Sequence, residues 1–123
     1  MNANGDTDVV ILGGGLAGLC LAIQLKRQDP ALAVAVLERR SHPVREAAHK
    51  VGESTVEIGA HYFAEVLGLR EHLETQQVRK YGLRYFFSDR ERELQDCNEM
   101  GVSRLLPTPS WQLDRGRFEN FLG

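Results

Sequence analysis

The sequence predicts an α/β fold built as a doubly wound parallel sheet, and three observations carry that expectation. An unbroken apolar run, Val9 to Leu12, leads directly into Gly13, Gly15 and Gly18, which stand in the pattern G-x-G-x-x-G. A segment with helical spacing follows. A second apolar run, Ala33 to Leu37, then ends in an acid, Glu38. The order strand, helix, strand within about thirty residues is the size of one parallel crossover unit.

Each element has its own signature. Val9, Val10, Ile11 and Leu12 do not alternate with polar residues, as expected of a parallel strand covered on both faces. From Leu16 to about Arg27, the spacing of Leu19, Ala22, Ile23 and Lys26 is helical and stops before Asp29 and Pro30. Arg39 to Ser54, rich in charge and containing two His, Gly52 and Pro43, reads as an irregular connection lying over a ligand. Val56 to Leu67 sets Ile58, Tyr62, Phe63, Val66 and Leu67 at helical spacing, with Gly68 as its end, and Leu69 to Thr75 predicts a short helix.

Tyr81 to Phe87 alternates loosely with aromatics and predicts a strand in a short β-rich insertion. Glu91 to Ser110 carries no pattern beyond Leu105 and Leu106 ahead of a Pro107, Pro109 turn. Asp114 is placed to cap a last helix whose apolar face is Phe118, Phe121 and Leu122. Two strands with crossing helices leave apolar surface without a partner, because an open sheet needs further strands. Residues 1–123 are therefore expected to be the N-terminal part of a cofactor domain in a longer protein, incomplete at the C-terminal end.

Bulk properties narrow the function classes. An apolar fraction of 42% suits a globular core, and a formal charge of −2 gives no basic surface for nucleic acid. Cys20 and Cys97 stand in no metal-ligand or redox spacing, and Cys20 reads as a small core residue. No stretch has the length of a signal-peptide core or of a membrane span of about 18 residues. A cytoplasmic protein acting on a small molecule is the expectation, with its oligomeric state left open. His42, His49, His61 and His72 show no ligand spacing, so no metal is expected, and most of them are expected at the surface. Trp111 reads as packing.

The glycines have distinct steric tasks. Gly13 permits the tight turn, Gly15 lets backbone approach a pyrophosphate, and Gly18 allows the helix to pack closely on the strand. The backbone of Leu16 and Ala17 opens that helix, where unpaired N–H groups and the positive dipole end meet the phosphates. Glu38, twenty residues beyond Gly18, is placed to accept hydrogen bonds from both ribose hydroxyls. Its carboxylate disfavours a 2′-phosphate, which favours FAD or NAD over NADP, although Arg39 or Arg40 can offset that repulsion.

VVILGGGLAGLCLAIQL followed by VAVLERR resembles the Rossmann-like, FAD-binding start of the flavin monooxygenase superfamily. KVGEST, Lys50 to Thr55, is similar to the connection that passes the flavin in flavin-dependent halogenases of the tryptophan halogenase type. WQLDRGRFENFL, Trp111 to Leu122, is similar to the stretch that opens a helix before the third strand in these proteins. The resemblance implies FAD as cofactor and a parent enzyme in which reduced flavin and oxygen oxidise a substrate or halide. An FAD reductase of polyprenyl-type substrates, or a non-catalytic truncated dinucleotide module, are the alternatives.

The resemblance also implies roles for individual residues. Lys50 falls near the pyrophosphate or ribityl chain, or is a solvated loop lysine. Glu53 and Ser54 fall where the chain passes the isoalloxazine; Ser54 with Glu57 also matches a capping box. Gln112 falls on the adenosine side, or is a strand-end amide, and Arg115, at the start of the last helix, is placed to pair with neighbouring acids. The halogenase lysine, which receives hypohalous acid, lies on the strand after the flavin-passing helix. The aromatic pattern of KYGLRYFF puts Arg84 in its place, as the one catalytic candidate or a surface strand arginine, so halogenation by the lysine route is not expected, unless a slip of a few residues brings Lys80 there instead.

Overall fold

A computed structural model describes residues 6–88 and 92–123. Strands β1 (Val9–Leu12) and β2 (Val34–Leu37) run parallel, with Val9 opposite Val34 and Leu12 opposite Leu37. Helix α1 (Leu16–Gln28) crosses between them, so the predicted unit forms within a residue or two of its expected bounds. Its close seat on β1 is a matter of one missing atom. A Cβ on Gly18 would lie 1.9 Å from the carbonyl oxygen of Gly13 and 3.2 Å from Ile11 Cγ2.

The expected helix from Val56 to Leu67 forms as α2 (Glu57–His61) and continues into a π-helical turn, Tyr62–Val66. Leu67 N–H closes that turn on Tyr62 O at 2.9 Å, and Gly68, at φ +56°, ends it as expected. Helix α3 (Arg70–Gln76) follows. The capping box does not form. Val56 occupies the cap position without a side-chain bond, because Ser54 lies two residues upstream and its Oγ accepts from Lys80 Nζ at 2.6 Å.

The strand predicted over Tyr81 to Phe87 forms three residues late, after Gly82, at φ +113°. Strand β3 (Val78–Lys80) ends before it, and β4 (Arg84–Phe87) begins after it in a different sheet. β4 pairs with β5 (Asn98–Gly101), and β3 pairs with β6 (Ser110–Gln112), both antiparallel. β5 and a short 3-10 turn, Leu94–Asp96, fall in the segment that showed no pattern, whose first residue, Glu91, lies outside the described residues. Among the described residues the strands make three two-stranded sheets rather than one wide one. Val10, Leu12 and Leu37 are accordingly exposed, although their strands have the composition of covered ones.

The core sits beside the parallel pair. Ala60, Ala64, Leu73, Trp111, Leu113 and Phe118 form it, with Leu16 and Phe63 packed against it. Trp111 is buried as expected, and Cys20 is a buried thiol whose pKa burial pushes up to about 11. His42, His49 and His61 are exposed, whereas His72 is buried, stacked on Phe118 and Phe121. Helix α4 (Arg115–Leu122) starts at Asp114, whose carboxylate accepts from Arg117 N–H at 3.1 Å, so the predicted cap is made. Its Phe118 is buried and its Phe121 is half exposed.

α4 also holds the irregular connection. Val44 N–H donates to Asn120 Oδ1 at 2.7 Å, Ala47 N–H to Asp114 Oδ2 at 2.8 Å, and a Cβ on Gly116 would lie 2.1 Å from Arg45 O. Further on, Thr55 N–H donates to Trp111 O at 2.9 Å and Leu113 N–H to Glu53 O at 2.7 Å, so 53–55 runs along β6.

Gly18→Ala is expected to destabilise the fold by about 3 kcal/mol, the upper part of the usual cost of overpacking, because backbone rather than a movable side chain blocks the new methyl. Urea unfolding measures this; an unchanged midpoint would contradict the close seat of α1 on β1.

Candidate functional site

Gly13 turns the chain out of β1 at φ +112°, and its N–H donates to Leu37 O at 2.8 Å. Gly15 is the residue before α1. Its backbone is extended, no side chain caps the helix, and the first turn holds no acid. The first helical bond is Leu19 N–H to Gly15 O, at 3.0 Å. The N–H groups of Leu16, Ala17 and Gly18 therefore have no carbonyl within the helix to meet, and the dipole end is open to an anion.

The glycines differ in what makes them glycine. At Gly18 the protein's own backbone forbids a side chain. At Gly14 a Cβ would lie 2.8 Å from Glu38 Cβ, a constraint absent from the sequence reading. At Gly15 the nearest atom to a Cβ is Glu119 Oε1, at 3.9 Å. Nothing in the fold demands glycine there, so the space is available to something from outside.

Glu38 closes the other side of this loop. Its carboxylate accepts from Gly14 N–H at 2.8 Å, from Arg40 N–H at 2.9 Å and from Arg40 Nε at 3.2 Å. The Arg40 backbone N–H, followed by that of Gly14, holds its pKa down to about 2. Arg40 is thus engaged by Glu38, while Arg39 is exposed. Gly13, Val36, Leu37, Glu38, Arg39 and Arg40 line an open cleft of about 770 Å³ at the C-terminal ends of β1 and β2, where ligands of α/β sheets bind.

A second charged group stands next to the loop. Glu119 of α4 is fully buried and accepts from Lys50 Nζ at 2.7 Å and from Arg115 Nη2 at 2.9 Å. Burial pushes its carboxyl up, but the hydrogen bond and charge of Lys50, with those of Arg115, outweigh it and hold the group below its ordinary value. Arg115 Nη1 donates to Val51 O at 3.2 Å, and its buried Nε has no protein partner. Lys50 is therefore not a solvated loop lysine. The sequence reading missed Glu119; its spacing four residues after Arg115 was the available signal.

The remaining candidates separate. Glu53 turns its carboxylate back onto Lys50 N–H at 2.9 Å. Ser54 bridges to Gln112, the exposed last residue of β6, so Gln112 lies beside the 53–55 segment and not in the cleft of Glu38. Lys80 Nζ donates to Ser54 Oγ and to Thr55 O, both at 2.6 Å. It also lines a mainly apolar pocket of about 370 Å³ with Leu83, Tyr85, Met100, Val102 and Leu106. Arg84 is exposed on the β4–β5 hairpin and ion-paired with Glu99. Among the described residues no cluster of His, Cys, Asp and Glu is arranged to hold a metal, and no helix is long and apolar enough to cross a membrane.

Residues 11–74, just over half of the chain, match the family of NAD(P)-binding Rossmann-like domains, and the chain belongs to that family. Over an alignment of 82 positions that covers 63% of this chain, it is 39% identical to the flavin-dependent halogenase chlA of Dictyostelium discoideum. The chain spans 14% of the length of that relative. Both findings agree with the class of protein that the three motifs resemble.

The Glu38 carboxyl is expected to titrate near pH 2 in carboxyl-detected NMR, rather than near its ordinary 4.5. Because the folded value is the lower one, its contribution to stability is present above about pH 4.5 and is lost as the pH falls towards 2. A midpoint near 4.5 would mean that the bonds from Gly14 and Arg40 are not kept in solution.

Proposed function

We propose that residues 1–123 are the FAD-binding N-terminal part of a longer, halogenase-like flavoenzyme. The observation that carries this reading is the open space at Gly15, between an uncapped helix start and a carboxylate held ionised. The pyrophosphate would lie against the N–H groups of Leu16 and Ala17, the ribose hydroxyls against Glu38, and the adenine in the cleft beside Arg39. Lys50 would face the phosphate side. The 50–55 segment, carrying Glu53 and Ser54 and paired to β6 at Gln112, would pass the isoalloxazine. The ionised state of Glu38 favours FAD over a 2′-phosphorylated dinucleotide, and the halogenase relative favours FAD over NAD. The exposed apolar faces of β1 and β2 support their membership of a wider doubly wound sheet.

Bound and reduced, the flavin would supply two electrons to oxygen, which yields the oxidant for a halide or an organic substrate. Of the two candidates for the halogenase lysine, Lys80 is favoured over Arg84. It touches the flavin-side segment and opens on an apolar pocket, whereas Arg84 is neutralised by Glu99 on an exposed hairpin. A lysine amine can take halogen from hypohalous acid with release of water, a step a guanidinium performs poorly.

Titration calorimetry with ADP tests the cradle. Gly15→Val is expected to abolish binding, and Gly15→Ala, whose Cβ would meet nothing closer than Glu119 Oε1 at 3.9 Å, to weaken it while leaving thermal unfolding nearly unchanged. Retained ADP affinity would remove the loop from the site. Glu38→Ala is expected to weaken binding by about 1–3 kcal/mol, the cost of leaving ligand hydroxyls without their acceptor. For the chemistry, the longer flavoenzyme is assayed with reduced FAD, oxygen, bromide and a panel of indoles and phenols. Halogenated product is expected to vanish in Lys80→Ala and persist in Arg84→Ala; the reverse pattern would return the role to Arg84.

A further inference from the structure

A carboxylate beside a phosphate site is unfavourable by charge alone, so the presence of Glu119 at the glycine loop needs a reason. Its side chain is fully buried, which is rare for a glutamate unless it is paired. Both oxygens are used: Oε2 by Lys50 and Oε1 by Arg115, and Oε1 is also the atom nearest to the open space at Gly15. The two cations come from different parts of the chain. Lys50 belongs to the connection after β2, and Arg115 opens α4; 65 positions separate them, from 50 to 115. Without a shared anion, two like charges held this close would repel and swing towards solvent.

We propose that Glu119 is a positioning residue: it fixes Lys50 and Arg115 side by side at the glycine loop, so that together they recognise the diphosphate of the cofactor. The inference rests on the dinucleotide reading and adds to it the residue that organises the phosphate-side charges. Two cations and one anion leave a single net positive charge next to the open helix start, enough to favour a diphosphate. Because α4 supplies both Glu119 and Arg115, the cations are set relative to α1 before any ligand arrives, and less ordering is required on binding. The unpartnered Nε of Arg115 is a donor in this group that the protein itself does not use.

The sign of the effect separates positioning from simple charge. Glu119→Gln removes a negative charge beside a phosphate site, which by Coulomb attraction alone would tighten ADP. Positioning predicts the opposite. In calorimetric titrations of the 123-residue chain, Glu119→Gln is expected to weaken ADP about tenfold or more and to leave adenosine within about twofold. Glu119→Asp is expected to recover part of the ADP preference. A general loss of structure would weaken ADP and adenosine alike, and that outcome, or an ADP affinity unchanged or increased, would overturn the proposal. If Glu119→Gln does not fold, Lys50→Met tests whether the positioned cation recognises the diphosphate, without stranding a buried carboxylate, since Arg115 remains on Glu119; an unchanged ratio of ADP to adenosine affinity there would also overturn the proposal. A wild-type chain that binds neither ligand is a different result, and it would remove the dinucleotide reading itself.

Discussion

The contact between the start of α1 and the turn after β1 is the constraint from which the other features of the site follow. Gly18 lies so close to Gly13 O that the helix has one available seat on the strand. That seat directs the first N–H groups of α1 past Gly15 and carries Leu16 into the core formed with Trp111 and Phe118. It also brings Gly14 against Glu38, whose carboxylate accepts the Gly14 N–H. Turn, helix start and acid are thus brought together by one steric condition.

A second scaffold governs the phosphate and flavin sides. The connection after β2 has no regular structure, and an irregular segment must find partners for its backbone groups elsewhere. It finds them on α4 and β6: Asn120 and Asp114 take Val44 and Ala47, and the backbone of Trp111 and Leu113 pairs with Thr55 and Glu53. Lys50 lies between these attachments, anchored on Glu119. The last quarter of the described chain therefore shapes a site whose recognisable motif lies in the first.

This division explains what could be read in the sequence. The parallel unit, the Asp114 cap and the tasks of Gly13 and Gly18 depend on neighbours within a few residues or on backbone sterics, and they stand as expected. Strand β3 was not legible, because Val78–Lys80 carries no alternating pattern, and the positive φ of Gly82 sets it in a different sheet from the aromatic β4. The pairings of β3 with β6 and of β4 with β5 join segments far apart in sequence, which periodicity does not report. Ser54 failed as a cap for a related reason, since its hydroxyl is held by Lys80, 26 residues away. Glu119 was passed over because a glutamate on an amphipathic helix ordinarily faces water; its burial is explained by a lysine 69 positions earlier.

The most direct test of the central claim is residue-resolved: amide proton–nitrogen NMR spectra of the chain recorded as ADP is added. The account predicts that the amides of Gly13 to Ala17, with Glu38 and Lys50, shift with a common saturation curve, while those of the β4–β5 hairpin stay in place. Saturable shifts confined to the hairpin, or no shifts at the glycine loop at millimolar ADP, would contradict it.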